Sequence, residues 1–137
     1  MAAEYNYKYN VSLRIWNAGA FHQRITEVTG LLATDSHLKD TKHYPDGPPD
    51  WLWKHDLWEL ESPLPKSESW ENHIQHIWEQ IRPHRDFFST IISGDVVADI
   101  CLGCMTDCEA PILRVDQGAL EIMRQLPLGI AFNYTPL

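Results

Sequence analysis

The sequence predicts an α+β fold, a two-layer sandwich in which helices pack on one face of a mixed or antiparallel sheet. Segments with a two-residue hydrophobic period, typical of strands, are interleaved with segments that have a helical period. The strand-like segments are short, and no internal repeat or linker divides the chain. Its 137 residues and 44% hydrophobic content suit one core, so we expect residues 1–137 to form a single domain.

The first predicted strand covers residues 5–16, where every second residue is aromatic or aliphatic and the residues between them are polar or charged. This alternation is typical of a strand with one buried face. A short helix is predicted over residues 18–29, and Gly30 suits the left-handed conformation that ends many helices. The predicted buried face of this helix consists of Phe21, Ile25 and Val28.

Residues 31–50 are predicted to form a loop, because their hydrophobic period is weak and they end in Asp-Gly-Pro-Pro-Asp. Adjacent prolines exclude regular structure there. Residues 57–61 are predicted to form the next strand, with Trp58 and Leu60 on one side and two glutamates on the other. A Pro-Leu-Pro sequence soon follows and stops the strand.

The longest predicted helix begins at Ser67 or Ser69, either of which can cap it, and continues to about Ser93. An apolar stripe at helical spacing runs along this whole stretch. Pro83 lies inside the pattern and removes one backbone donor, so it should kink the helix or divide it in two. Gly94 is expected to close the helix.

Two strands, a shorter strand and a helix complete the prediction. Residues 95–105 are rich in Val, Ile and Cys, and residues 112–115 form a shorter strand-like run. Asp116 can cap a helix that ends at Pro127, and residues 129–134 form the last strand.

The charge is concentrated in one segment. Residues 46–79 carry eight carboxylates against two lysines, which supplies most of the chain's net charge of −8. Nucleic-acid binding is therefore not expected, since a phosphate backbone requires a basic patch. The apolar runs are too short to span a membrane. A negative field of this kind attracts a cationic protein surface or ligand.

Five of the six tryptophans lie in the same acidic segment. Trp58 and Trp70 are in phase with core positions, and Trp78 is predicted at the edge of the helical stripe. Trp51 and Trp53 follow the double proline. They are predicted either to cover an open edge of the sheet or to contact a partner.

Cys101, Cys104 and Cys108 suggest metal or redox chemistry, but a structural zinc site needs four ligands. Strand alternation also sends Cys101 and Cys104 to opposite faces, so we expect core thiols, no metal and no cofactor. An odd, local set of cysteines favours a reducing cytoplasm. No nucleophile, P-loop or dinucleotide motif is present, so no catalytic residue is assigned.

Histidines at positions 73, 76 and 84 lie along one flank of the longest helix. The helical zinc pair has its histidines four residues apart with a glutamate between them, and His73 and His76 lack both features. We expect a solvated flank that titrates near neutrality.

The order of features resembles a bacterial family, domain-of-unknown-function family 4279, over nearly the whole chain. The matching stretches are Val11–Ile15, Ile25–Thr34, Trp58–Ser62, the long helix and Ile130–Tyr134. The resemblance implies a compact α+β domain in a bacterial cytosol and transfers no catalytic residues. This chain departs from the family at Leu38–Asp40, and its Pro45–Trp53 loop is individual.

We expect a small, acidic, non-enzymatic protein-binding module, of the type of an immunity protein or antitoxin that inhibits a partner with a basic surface. Its predicted contact residues combine two aromatic anchors with steering carboxylates. They are Trp51, Trp53, Asp46, Asp50, Asp56, Glu59 and Glu61.

Two alternatives stay open. One is a small metal- or ligand-binding domain, or an enzyme, that uses the three cysteines and the histidine groups. The other is a homo-oligomer, such as a homodimer, joined through the tryptophan region.

Overall fold

Five strands form one mixed sheet in the computed structural model, which describes residues 4–137; residues 1–3 of the predicted domain lie outside the described part. The strands are β1 (Tyr7–Trp16), β2 (Asp35–His37), β3 (Leu57–Glu61), β4 (Val97–Thr106) and β5 (Gly129–Pro136). Their order in the sheet is β2-β3-β1-β4-β5. Neighbouring strands are antiparallel except β4 and β5, which are parallel.

Four α-helices connect these strands: α1 (His22–Thr29), α2 (Trp70–Ile81), α3 (Arg85–Ile91) and α4 (Glu121–Gln125). Short 3₁₀ turns precede α1 and α4, at Gly19–Phe21 and Gln117–Leu120, and a third at Arg82–His84 joins α2 to α3.

The local signals for where helices begin, divide and end are confirmed. The Ser69 hydroxyl accepts a hydrogen bond from the Asn72 backbone N–H at 3.2 Å and caps α2. Pro83 lies in the 3₁₀ turn that separates α2 from α3, so the predicted helix is divided in two. Gly30 ends α1 with a φ of 74°, in the left-handed region that glycine enters without strain.

The helices pack on one face of the sheet, as the fold class requires. On β1, Val11, Leu13 and Ile15 are fully buried in the same hydrophobic cluster as the helix residues. Trp58 and Trp70 belong to this cluster at 2% and 3% exposure, which confirms their assignment to the core. Burying each such side chain contributes about 1.5–3 kcal/mol, so this single cluster holds the two layers together.

The other face of the sheet, called the open face below, has polar side chains. The Arg14 guanidinium donates two hydrogen bonds of 2.8 Å to the Asp99 carboxylate on the neighbouring strand. The Ser12 hydroxyl donates to the Glu59 carboxylate at 2.8 Å. None of these four residues belongs to the hydrophobic cluster. The open face is therefore the part of the sheet that remains available for contacts outside the fold.

Two predictions of local structure are wrong. Residues 112–115 form no strand, because Leu113 and Val115 pack against the hydrophobic cluster instead of pairing with a sheet edge. Residues 31–50 are not only a loop, since they contain β2 and half of a hairpin.

The predicted buried face of α1 is also narrower than expected. Ile25 is fully buried, whereas Phe21 and Val28 are 37% and 46% exposed. Phe21 belongs to the 3₁₀ turn that precedes the helix, and α1 itself begins at His22.

Candidate functional site

The loop that carries Trp51 and Trp53 is one arm of a hairpin, called here the aromatic hairpin (residues 40–53). The backbone N–H of Asp40 donates to the Trp53 carbonyl at 2.9 Å, and the N–H of Trp53 donates to the Thr41 carbonyl at 2.9 Å. The N–H of His43 donates to the Trp51 carbonyl at 3.2 Å. Because side chains alternate along each arm, His43, Trp51 and Trp53 project from one side of the hairpin.

Four aromatic rings form a stack that joins this hairpin to the sheet. The centroid of the Trp53 ring lies 3.7 Å from that of the His37 ring of β2 and 3.7 Å from that of the His43 ring, with interplanar angles of 8° and 10°. Two rings cannot share one indole face at that separation, so the two imidazoles flank Trp53. His43 also lies parallel to Trp51, with centroids 5.1 Å apart.

The outer end of the stack is exposed. Trp51 has 51% of its surface accessible, and its other aromatic neighbour among the described residues is Tyr44, in an edge-to-face arrangement at 5.6 Å between centroids. Burial lowers the pKa of His37, while the nearby Asp35 carboxylate opposes this shift. His37 therefore stacks on Trp53 as a neutral ring near pH 7.

A cleft of about 270 Å³ opens beside the stack, at the end of the open face where β1 finishes. None of its lining residues is a carboxylate, although the chain as a whole is acidic. The lining consists of Trp16, His37, His43, Trp51, Leu52, Trp53, Lys54 and His55. The His55 Nδ1 lies 2.8 Å from the Asn17 side-chain oxygen, which orients that ring at the rim.

The predicted carboxylates divide into three positions. Asp46 and Asp50 are exposed in the turn of the hairpin, beside Trp51. Glu59 and Glu61 project from β3 onto the open face, as alternation predicted, with Asp35 of β2 directly opposite Glu59. Burial raises the pKa of the Glu59 carboxyl; the hydrogen bond from Ser12 opposes this, and the Asp35 and Glu61 charges add to it.

Asp56 lies apart from the other predicted contact residues because it is buried, at 7% exposure. Its carboxylate accepts hydrogen bonds from the backbone N–H of Ala18 at 2.8 Å and of Gly19 at 2.9 Å. The turn that it holds includes Asn17 and Gly19, both with positive φ. Asp56 thus fixes the connection between β1 and α1, and its side chain does not face a partner.

The cysteines and the histidines of α2 do not converge. Cys104 is buried in the core, whereas Cys101 lies on the open face, and burial raises the pKa of both thiols. Among residues 4–137 no three His, Cys, Asp or Glu side chains come close enough together to hold a metal ion.

The predicted solvated flank is wrong for His73. This residue is 1% exposed, and its Nδ1 lies 2.7 Å from the Ser62 hydroxyl. Burial lowers its pKa. The approach of Ser62 to α2 encloses the ring, and this approach is a tertiary contact that the helical spacing does not reveal.

Trp16, His37 and His43 are the site residues that the sequence did not single out. His37 and His43 lie in the segment predicted to be a loop, and a loop has no regular alternation that would show both rings to contact Trp53. The signal for the hairpin is confined to one side of the Pro-Pro turn, where Trp51 and Trp53 are two residues apart.

The fold and site define a small α+β module with one covered sheet face, one open polar face and an aromatic hairpin at the end of the open face. The family model described as Domain of unknown function (DUF4279) matches residues 7–137, nearly the whole chain, so the protein belongs to this family. Neither the curated proteins nor the solved structures contain a match. No helix in residues 4–137 has the length and apolar character needed to cross a membrane.

Proposed function

We propose that this protein is a non-enzymatic binding module that recognises a basic protein surface with its aromatic hairpin. The observation that carries the proposal is the ring stack from His37 to Trp51, which ends in a half-exposed indole. Tryptophan is the residue most enriched among the side chains that dominate binding energy. A large aromatic ring held at the tip of a hairpin is suited to that role.

The stack favours binding because it fixes the anchor in advance. A flexible side chain loses rotamer freedom when a partner immobilises it, at about 0.5–1.5 kcal/mol. Trp51 is already positioned by the parallel His43 ring and the edge of Tyr44. Less free energy is therefore lost on association than for a loop tryptophan without neighbours.

The carboxylates around the anchor select the charge of the partner. Asp46 and Asp50 lie in the exposed turn next to Trp51, and Asp35 and Glu61 are exposed on the adjoining strands. An aromatic centre with a charged rim is the usual organisation of a transient interface. Carboxylates at the rim mainly accelerate association with a cationic surface and make it dependent on salt.

An inhibitor of the immunity or antitoxin type, acting in a bacterial cytoplasm, is the form of this function that we favour. Such a protein needs a stable scaffold and a contact surface but no chemistry of its own. No cofactor, nucleic acid or membrane is part of this proposal. A basic toxin would be neutralised by contact with the hairpin and the adjacent carboxylates.

The first experiment compares three baits for affinity capture from the native host. Wild-type protein and Trp51→Ala are compared with Tyr5→Ala, a matched control that removes an aromatic ring of 49% exposure at another site. We expect a basic protein to be retained by wild type and Tyr5→Ala, released by salt, and lost from Trp51→Ala. Retention of the same proteins by Trp51→Ala contradicts the proposal.

The second experiment tests inhibition. The captured protein is expressed alone and together with wild type or Trp51→Ala in a neutral host. Growth arrest by the partner alone, relieved by wild type and not by Trp51→Ala, is the expected result. A partner that is harmless when expressed alone rules out the inhibitor form and leaves only a binding function.

A second candidate function rests on the cleft beside the stack. Its walls combine three indole rings with Lys54 and three imidazoles, and they contain no carboxylate. This chemistry suits a small planar ring that carries a carboxylate or phosphate group. Titration of tryptophan fluorescence with a nucleoside monophosphate, and with the uncharged nucleoside as control, tests it; saturable quenching by the phosphate form alone supports ligand binding.

A further inference from the structure

The two edges of the sheet are protected very differently. The β2 edge has three residues, carries the Asp35 charge, and is followed by the hairpin whose Trp53 stacks on His37. The β5 edge has eight residues from Gly129 to Pro136 and carries no charge. Natural sheets normally shorten, charge or cover an edge, because a bare edge pairs with other strands. Only one edge of this sheet follows that rule.

The outer side of β5 has unused hydrogen-bonding groups. In the described chain, β5 pairs only with β4, and no other backbone partner contacts residues 129–136. In a parallel pair, alternate residues direct their N–H and C=O groups away from the neighbouring strand. A row of donors and acceptors therefore faces outwards along β5.

Apolar side chains accompany this row. Ile130, Phe132 and Tyr134 lie on the helix side of the sheet, in register with core residues of β4, yet they are 42%, 67% and 44% exposed. Among the described aromatic residues, the Phe132 ring contacts Trp70 alone, in an edge-to-face arrangement at 6.2 Å between centroids. The exposed face of β5 is thus both apolar and adjacent to free backbone groups.

From these observations we infer that β5 is a dimerisation strand, and that its occupant is the β5 strand of a second copy of this chain. An antiparallel pairing centred on Phe132 places Phe132 opposite its own copy and Ile130 opposite Tyr134 of the other chain. All of these side chains then lie on one face, as cross-strand packing requires. The arrangement is self-complementary, which a two-fold dimer interface must be.

Charge supports a second copy as the occupant. Two chains of net charge −8 repel each other over most of their surface, but residues 125–137 contain no charged residue. Like charges directly opposite each other destabilise a strand pair, and this register contains none. The product is a continuous ten-stranded sheet, built from two five-stranded sheets, with the helices of both copies on the same side.

This interface is separate from the aromatic hairpin, since β2 and β5 are the opposite edges of the sheet. The dimer therefore does not depend on the proposed function. It also differs from a homodimer joined through the tryptophans, because Trp51 substitution should leave it intact.

Light scattering coupled to size-exclusion chromatography, over a dilution series, is the first test. We expect wild type to approach twice the chain mass at high concentration and Phe132→Lys to remain at the monomer mass. Leu32→Lys is the matched control, because Leu32 is an apolar residue of 75% exposure on another part of the surface. A monomeric wild type at every concentration, or a Phe132→Lys dimer, overturns the inference, as does loss of the dimer in Trp51→Ala.

Oxidative cross-linking tests the register and does not require a variant that disrupts pairing. Opposed residues of antiparallel strands have Cα atoms about 4.5–5.5 Å apart, within the range a disulfide spans. Phe132→Cys should cross-link to itself, whereas Tyr134→Cys should cross-link only when mixed with Ile130→Cys. Oxidised wild type controls for Cys101, Cys104 and Cys108. Efficient self-cross-linking of Tyr134→Cys contradicts the proposed register.

Discussion

Substitution of Asp56 by alanine should destabilise the fold instead of weakening a partner contact. The sequence placed Asp56 among the steering carboxylates, but its side chain is 7% exposed and binds two backbone N–H groups. Removing it leaves both donors without their charged acceptor. The resulting loss can be estimated from the surroundings of each donor.

The two donors contribute unequally to this loss. A hydrogen bond to a charged group contributes about 1.5–3 kcal/mol. Ala18 is only 3% exposed, so its N–H cannot reach water after the substitution and should bear the full penalty. Gly19 is exposed, and water can replace most of its lost bond. We therefore expect Asp56→Ala to lower the free energy of unfolding by about 2–4 kcal/mol, and Tm by roughly 10 °C.

Urea denaturation measures this effect directly. The midpoint should fall while the slope stays unchanged, because the folded and unfolded surfaces remain the same. Asp50→Ala removes an exposed carboxylate and should change the free energy of unfolding by less than about 0.5 kcal/mol. Equal effects of Asp56→Ala and Asp50→Ala would refute a structural role for the Asp56 carboxylate.

Three further predictions concern buried or half-buried polar groups. The raised pKa of Glu59 means that its protonated form stabilises the fold, and this stabilisation is lost as pH rises through that pKa. Glu59→Gln should therefore raise the free energy of unfolding by about 0.2–1 kcal/mol in urea denaturation at pH 7 and should not raise it at acid pH. Because the pKa of His73 is lowered, its contribution to the free energy of unfolding is fully present above about pH 6.5. It is lost below that pH, so His73→Gln should flatten the acid side of the stability profile measured by urea denaturation. The Trp70 indole N–H donates to the Gly103 carbonyl at 2.8 Å, so Trp70→Phe should cost about 1 kcal/mol or more in thermal unfolding.

The elements that could be predicted from the sequence are those specified by adjacent residues. The alternation along β1, the cap at Ser69 and the division at Pro83 each depend on a few neighbouring positions. For the same reason Trp58 was assigned to the core, since its phase within β3 decides the face that it occupies.

The remainder depends on contacts between distant segments. His37 and Trp53 are far apart in the chain, and neither has a local pattern that reveals their stack. His73 was expected on a solvated flank because helical spacing ignores the approach of Ser62. The apolar residues around Leu113 have strand-like spacing, but they pack against the hydrophobic cluster and do not pair with the free edge of β5. Alternation alone cannot indicate whether a pairing partner exists.

The hairpin geometry also changes how the two unusual tryptophans should be tested. Trp53 has an imidazole on each face and joins the hairpin to the edge strand β2, so its main role is structural. Trp51 has a parallel ring, His43, on one face, and about half of its surface stays accessible to solvent. We therefore assign the covering of the sheet edge to Trp53 and the proposed partner contact to Trp51. A double variant would release the hairpin, so a loss of the proposed binding could not be attributed to either tryptophan, whereas Trp51→Ala alone leaves the Trp53 sandwich in place and isolates the proposed contact.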